Sequence, residues 1–152
     1  MKLLLTIALA LTTAASAQSP KNTSLVGTWD LDPQHSTVPW KSATITYTKE
    51  TPDEIAWTLS AIDNQDHSFE SHLEAKTGVE TPVEGMPGMT ETWHKDRTFR
   101  ISGPQFSMDG KNTLSEDGNT MTTTTTMKDP SGGEHELRDT YLRRTGTTPP
   151  AK

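Results

Sequence analysis

From Leu25 to Arg144, apolar and polar residues alternate in short runs separated by Gly, Pro, Asp and Asn. Alternation with a period of two is the pattern of an extended strand with one face buried. The first run places Leu25, Gly27, Trp29 and Leu31 on one face, and Asp32-Pro33 ends it. Lys41 to Lys49 sets Ala43, Ile45 and Tyr47 opposite Thr44, Thr46 and Thr48. Pro52-Asp53 marks a turn, because proline fixes its own backbone angle and aspartate hydrogen-bonds locally. Glu54 to Ile62 then aligns Ile55, Trp57, Leu59 and Ala61; after a turn at Asp63–Asp66, His67 to Ala75 aligns Phe69, Leu73 and Ala75. These runs predict a meander of antiparallel strands.

Residues 76–89 form a Gly/Pro-rich loop, and further strands are predicted at Thr90–Lys95, Thr98–Ser102, Gln105–Leu114, Asn119–Met127 and Glu134–Arg144. No window of helical length carries a sustained 3.6-residue period. About eight to nine short strands with turns between them predict an all-β fold, an antiparallel up-and-down β-barrel occupying residues 25–144. Closure of the barrel removes the exposed edges that promote aggregation. Gln18 to Ser24 reads as a polar lead and Thr145 to Lys152 as a disordered tail.

The first 17 residues stand apart. Lys2 precedes an apolar run from Leu3 to Leu11, followed by Ala15-Ser16-Ala17. A basic start, a short apolar stretch and a small-residue cleavage site are the pattern of a secretory signal peptide. The run is too short for a membrane span, which needs ~20 residues. The expectation is a secreted or periplasmic product cut near Ala17, with no insertion in a membrane.

Composition sharpens the interior. Nine strands of about eight residues offer roughly 36 inward positions, about as many as the apolar residues remaining beyond position 17, some of which lie in loops. The barrel must therefore bury polar side chains or enclose a cavity. The formal net charge of −6 and the absence of a basic run argue against nucleic acid as a partner. With no cysteine, disulfides and thiolate chemistry are excluded.

The stretch Leu25-Val26-Gly27-Thr28-Trp29-Asp30-Leu31-Asp32 resembles the opening strand of lipocalin-like proteins, whose signature is Gly-x-Trp. A loop at Pro33-Gln34-His35-Ser36, a late hairpin over Leu114–Thr122 and a last strand at Asp139–Arg144 extend the likeness to small secreted bacterial lipocalin-like domains. The resemblance implies that a basic residue of the last strand covers Trp29 at the closed end of the barrel, here Arg143 or Arg144. The chain departs from the lipocalin pattern in lacking disulfides and a recognisable C-terminal helix.

Catalytic chemistry finds no motif: there is no Gly-x-Ser-x-Gly elbow and no Ser, His and Asp set in a telling context. His67 and His72 are an odd number of residues apart, so on a strand they face opposite sides and do not form a metal site. The function expected is non-catalytic binding of a small, partly apolar molecule, with no cofactor. Tyr47, Trp57, Phe69 and Trp93 are the expected lining, and the 76–89 loop the lid. Small barrels either fill their interior or hold one ligand. The competing reading is thus a filled barrel acting through its outer surface as an envelope interaction or structural module. A third is copper or other metal binding by Met86, Met89 and His94, whose thioethers and imidazole suit copper(I).

Overall fold

A computed structural model describes residues 23–146. The expected signal peptide, most of the polar lead and most of the expected tail lie outside the described residues. Ten strands run in chain order: β1 (Gly27–Leu31), β2 (Trp40–Glu50), β3 (Glu54–Asp63), β4 (Ser68–Lys76), β5 (Thr81–Pro82), β6 (Thr90–Trp93), β7 (Thr98–Gly103), β8 (Phe106–Leu114), β9 (Thr120–Lys128) and β10 (Glu134–Arg143). A single 3-10 turn at Pro33–His35 interrupts them, capped by the Asp32 carboxylate. Among the described residues no helix is long and apolar enough to cross a membrane.

The strands form one antiparallel sheet in the order β4-β3-β2-β1-β10-β9-β8-β7-β6-β5. Every neighbour is also a chain neighbour except β1 and β10, whose pairing brings Trp29 opposite Arg143. This is an up-and-down sheet curled into a nearly closed barrel. It has ten strands rather than eight to nine. The additional one, β5, is a two-residue strand inside the segment read as a loop.

The seam lies between β4 and β5. Among the described residues it is crossed by one isolated bridge, just past β5, where His72 and Glu84 exchange two backbone hydrogen bonds of 2.9 Å. The proline in β5 lacks an N–H, which limits how far a ladder can extend. Gly85, next to the bridge, has φ of +83°, and a Cβ there would lie 2.1 Å from the Glu70 carbonyl oxygen. Gly85→Ala is therefore expected to open the seam and cost ~1–3 kcal/mol. Hydrogen exchange checks this: the amides of His72 and Glu84 should lose protection, and unchanged protection would refute the account.

Two irregularities in β2 aim its side chains. The register against β3 shifts between Trp40 and Ser42 and again between Tyr47 and Lys49. A bulge adds one residue and so reverses which residues face inward beyond it. Trp40 accordingly joins Ala43, Ile45 and Tyr47 on the inner face, although simple alternation would put it outside.

The core is one apolar cluster, in which Leu25, Trp29, Ile55, Leu73 and Met121 are fully buried. Leu25 and Trp29 mark the end where β1 begins. That end is sealed by Arg143, whose guanidinium carbon lies 4.1 Å from the Trp29 ring centroid. The Arg143 Nε, Nη1 and Nη2 donate to the carbonyls of Gly118, Val26 and Ser24 at 2.8, 2.8 and 2.7 Å. Arg144 points elsewhere, forming a two-bonded pair with Asp30. The close approach of Arg143 explains Gly27: a Cβ at that position would sit 2.8 Å from Nη1.

Candidate functional site

The barrel is not filled throughout. It holds a cavity of about 410 Å³ bounded by inward residues of β2, β3, β6, β7, β8 and β9 and by the segment from Val83 to Met89. This exceeds the ~300 Å³ at which small-molecule pockets begin. Of the chain's four tryptophans, two tyrosines and three phenylalanines, six line it: Trp40, Tyr47, Trp57, Trp93, Phe99 and Phe106. Trp93 and Phe99 stack with their planes 2° apart and centroids at 5.7 Å. Tyr47 leans on Trp93 at 6.3 Å. The stack needs Gly110 on the neighbouring strand, where a Cβ would come within 2.3 Å of the Phe99 ring.

Tyr47, Trp57 and Trp93 thus lie on the cavity wall. Phe69 does not: it packs edge-on against Trp40, with centroids 5.4 Å apart, and supports the wall from behind. Val83, Met86 and Met89 of the Gly/Pro-rich segment reach the cavity, so that segment does border it. His94 is exposed and follows the inward Trp93 on the outer side of the sheet. It borders a surface groove with Asp109 and Lys111, so the two methionines and His94 are not brought together.

Two polar features interrupt the apolar wall. On one side the Asn112 amide donates to the Tyr47 hydroxyl at 3.0 Å and accepts from the Thr123 hydroxyl at 2.8 Å. This chain spans β2, β8 and β9 and leaves the Tyr47 O–H proton available as a donor. Burial pushes the Tyr47 phenol well above its ordinary range, and the nearby Glu91 carboxylate pushes it further.

The second feature is Glu91 itself. It is only 3% exposed, on the inner face of β6 between Thr81 of β5 and Ile101 of β7. Burial pushes its pKa up to about 8, and a hydrogen bond from the Trp57 indole opposes that shift. Among the described residues no lysine, arginine or histidine lines the cavity. At neutral pH the group is therefore mostly a neutral acid, with one O–H to donate and lone pairs left to accept hydrogen bonds in an aromatic surround.

Sequence reasoning passed over Glu91. It stands among 20 acidic residues, in a strand of four residues with polar neighbours. The signal available was its spacing: Glu91 and Trp93 are two apart, so an inward Trp93 requires an inward Glu91. Compared with models of known protein families and with characterised proteins, the chain shows no match.

Proposed function

We propose that this protein is a lipocalin-like carrier that binds one small, partly apolar molecule in its barrel without catalysis, and that it acts in the periplasm or outside the cell. The observation that carries the reading is the 410 Å³ aromatic cavity with few, fixed polar groups on its wall. Ligand pockets have this composition, apolar for affinity and sparingly polar for orientation. A barrel serving only as a structural module gains nothing from leaving that volume open, since filling a cavity stabilises a core. The signal-like first 17 residues support export.

The neutral fluorophore N-phenyl-1-naphthylamine tests this reading. It is expected to bind saturably, one molecule per chain, with its emission enhanced and its binding competed by 1-octanol. Met108→Trp places a larger side chain on the cavity wall and should weaken binding at least tenfold. Failure of the fluorophore to bind saturably, or equal binding by Met108→Trp, would overturn the carrier reading.

A further inference from the structure

We infer that the ligand is an organic cation: an apolar molecule carrying one amine or ammonium group, held by the Glu91 carboxylate within the aromatic cavity. The inference rests on the carrier reading and specifies its ligand.

Three observations combine. The first is the sign of the ionisable groups. Glu91 and Tyr47 are the titratable residues lining the cavity, and both become negative when they ionise. A ligand carboxylate or phosphate would enter beside a buried acid without a basic partner, which low dielectric makes costly.

The second is that Glu91 is buried with no cationic side chain beside it among the described residues that line the cavity. A carboxylate accepts about four hydrogen bonds and, once ionised, calls for a positive partner. An ammonium group supplies the missing charge, whether or not it also carries N–H donors.

The third is the wall. Tryptophan faces attract cations best among the aromatic residues, and Trp40, Trp57 and Trp93 all border the space that Glu91 faces. A fatty tail needs apolar walls, and aliphatic ones serve equally well; rings arranged around a carboxylate favour positive charge specifically. The net charge of −6 acts in the same direction by drawing cations toward the protein.

Protonation follows from the same geometry. Below pH 8 the carboxyl must release its proton to pair with a cation, so one proton leaves for each cation bound. The groups around Glu91 do not interfere with this titration. Its strand neighbours Thr81 and Ile101 are uncharged, the Trp57 indole does not titrate, and Tyr47 on β2 stays protonated.

Three probes of equal chain length separate the possibilities by calorimetry at pH 8.5: octyltrimethylammonium, 1-octanol and octanoate. The ammonium ion is expected to bind at least tenfold tighter than the alcohol, and octanoate more weakly than either. Glu91→Gln should abolish the preference of the protein for the ammonium ion over the alcohol. Because the charge of octyltrimethylammonium is fixed, its affinity should also fall by up to tenfold per pH unit below pH 8, and not in the variant. Equal affinities for the ion and the alcohol, or a preference that survives Glu91→Gln, would overturn the cation inference and leave the carrier reading intact. Absence of binding by all three probes would overturn both.

Discussion

Glu91→Gln should make the protein more stable at pH 8.5 by several kcal/mol while leaving its stability at pH 5 nearly unchanged. The carboxyl of Glu91 has a pKa of about 8 in the folded barrel, against 4.5 for an ordinary glutamate. Between these two values the native state holds a proton that the unfolded chain has released. Stability must then fall as pH rises. The penalty is absent below about pH 4.5, where both states are protonated, and complete above pH 8, where both are ionised.

Each unit of pKa difference is worth about 1.4 kcal/mol. The full penalty is therefore on the order of 4–5 kcal/mol, a large share of the ~5–15 kcal/mol that typically stabilises a domain. In a domain of this size that corresponds to a melting-temperature difference of roughly 10 °C or more. Glutamine keeps an acceptor for the Trp57 indole and never ionises, so its variant loses the slope. Thermal melts of both proteins from pH 5 to pH 9 provide the measurement, and parallel curves would refute the buried-acid account. Asp30 works in the opposite sense. The hydrogen bond from Arg144 holds its pKa low, so its stabilising contribution is lost as pH drops through the carboxylate range. The wild-type optimum should therefore lie on the acid side of neutrality. An acid that lowers stability at neutral pH, where an amide would fit, is the trade expected of a binding group.

The strand pattern was readable because the barrel buries one face of nearly every strand. Trp57, Leu59 and Ala61 alternate with exposed Thr58 and Ser60 and face inward as a set, and buried Ala56 breaks the pattern only at the start of β3. The two-residue β5 was not readable, because two residues cannot display a period and its ladder with β6 holds only two pairs. Trp40 was legible only as an aromatic residue after Pro39. Its inward direction depends on a bulge that tertiary pairing with β3 imposes.

The candidate site was legible in its aromatic part, since inward rings follow from strand parity. Phe69 has the right parity too, yet it packs against Trp40 and does not itself line the cavity, and parity contains no information about which neighbour a side chain meets. Glu91 was hidden for a different reason. Charge normally indicates an outward face, and only the strong inward commitment of Trp93 reverses that rule for its neighbour two residues earlier.

The closed end of the barrel carries the second large effect. Trp29→Ala should destabilise the protein by ~3–5 kcal/mol, the usual cost of truncating a fully buried aromatic residue. Its indole N–H also donates to the Leu25 carbonyl at 2.7 Å, and that acceptor would lose its partner. Arg143→Ala removes three donors at once and the cation over the ring. With ~1.5–3 kcal/mol for a charged hydrogen bond that water replaces only in part, the loss should reach ~2–4 kcal/mol. Arg143→Lys should recover less than half of it, because an ammonium group on a flexible stem cannot meet three carbonyls and stack on the indole together. The double variant then separates packing from pairing. A coupling energy of ~1–2 kcal/mol between Trp29 and Arg143 is expected from the cation–π contact and the shared strand register. Gly27→Ala should be costly alone and less so when Arg143 is already alanine, since the guanidinium is what its Cβ would strike. Additive free energies for these pairs in urea melts would show that the Arg143 cap acts independently of the ring beneath it. None of these substitutions touches the cavity wall. Variants that remain folded should bind 1-octanol within threefold of wild type, which distinguishes the Trp29–Arg143 pair that holds the barrel together from the wall of the cavity.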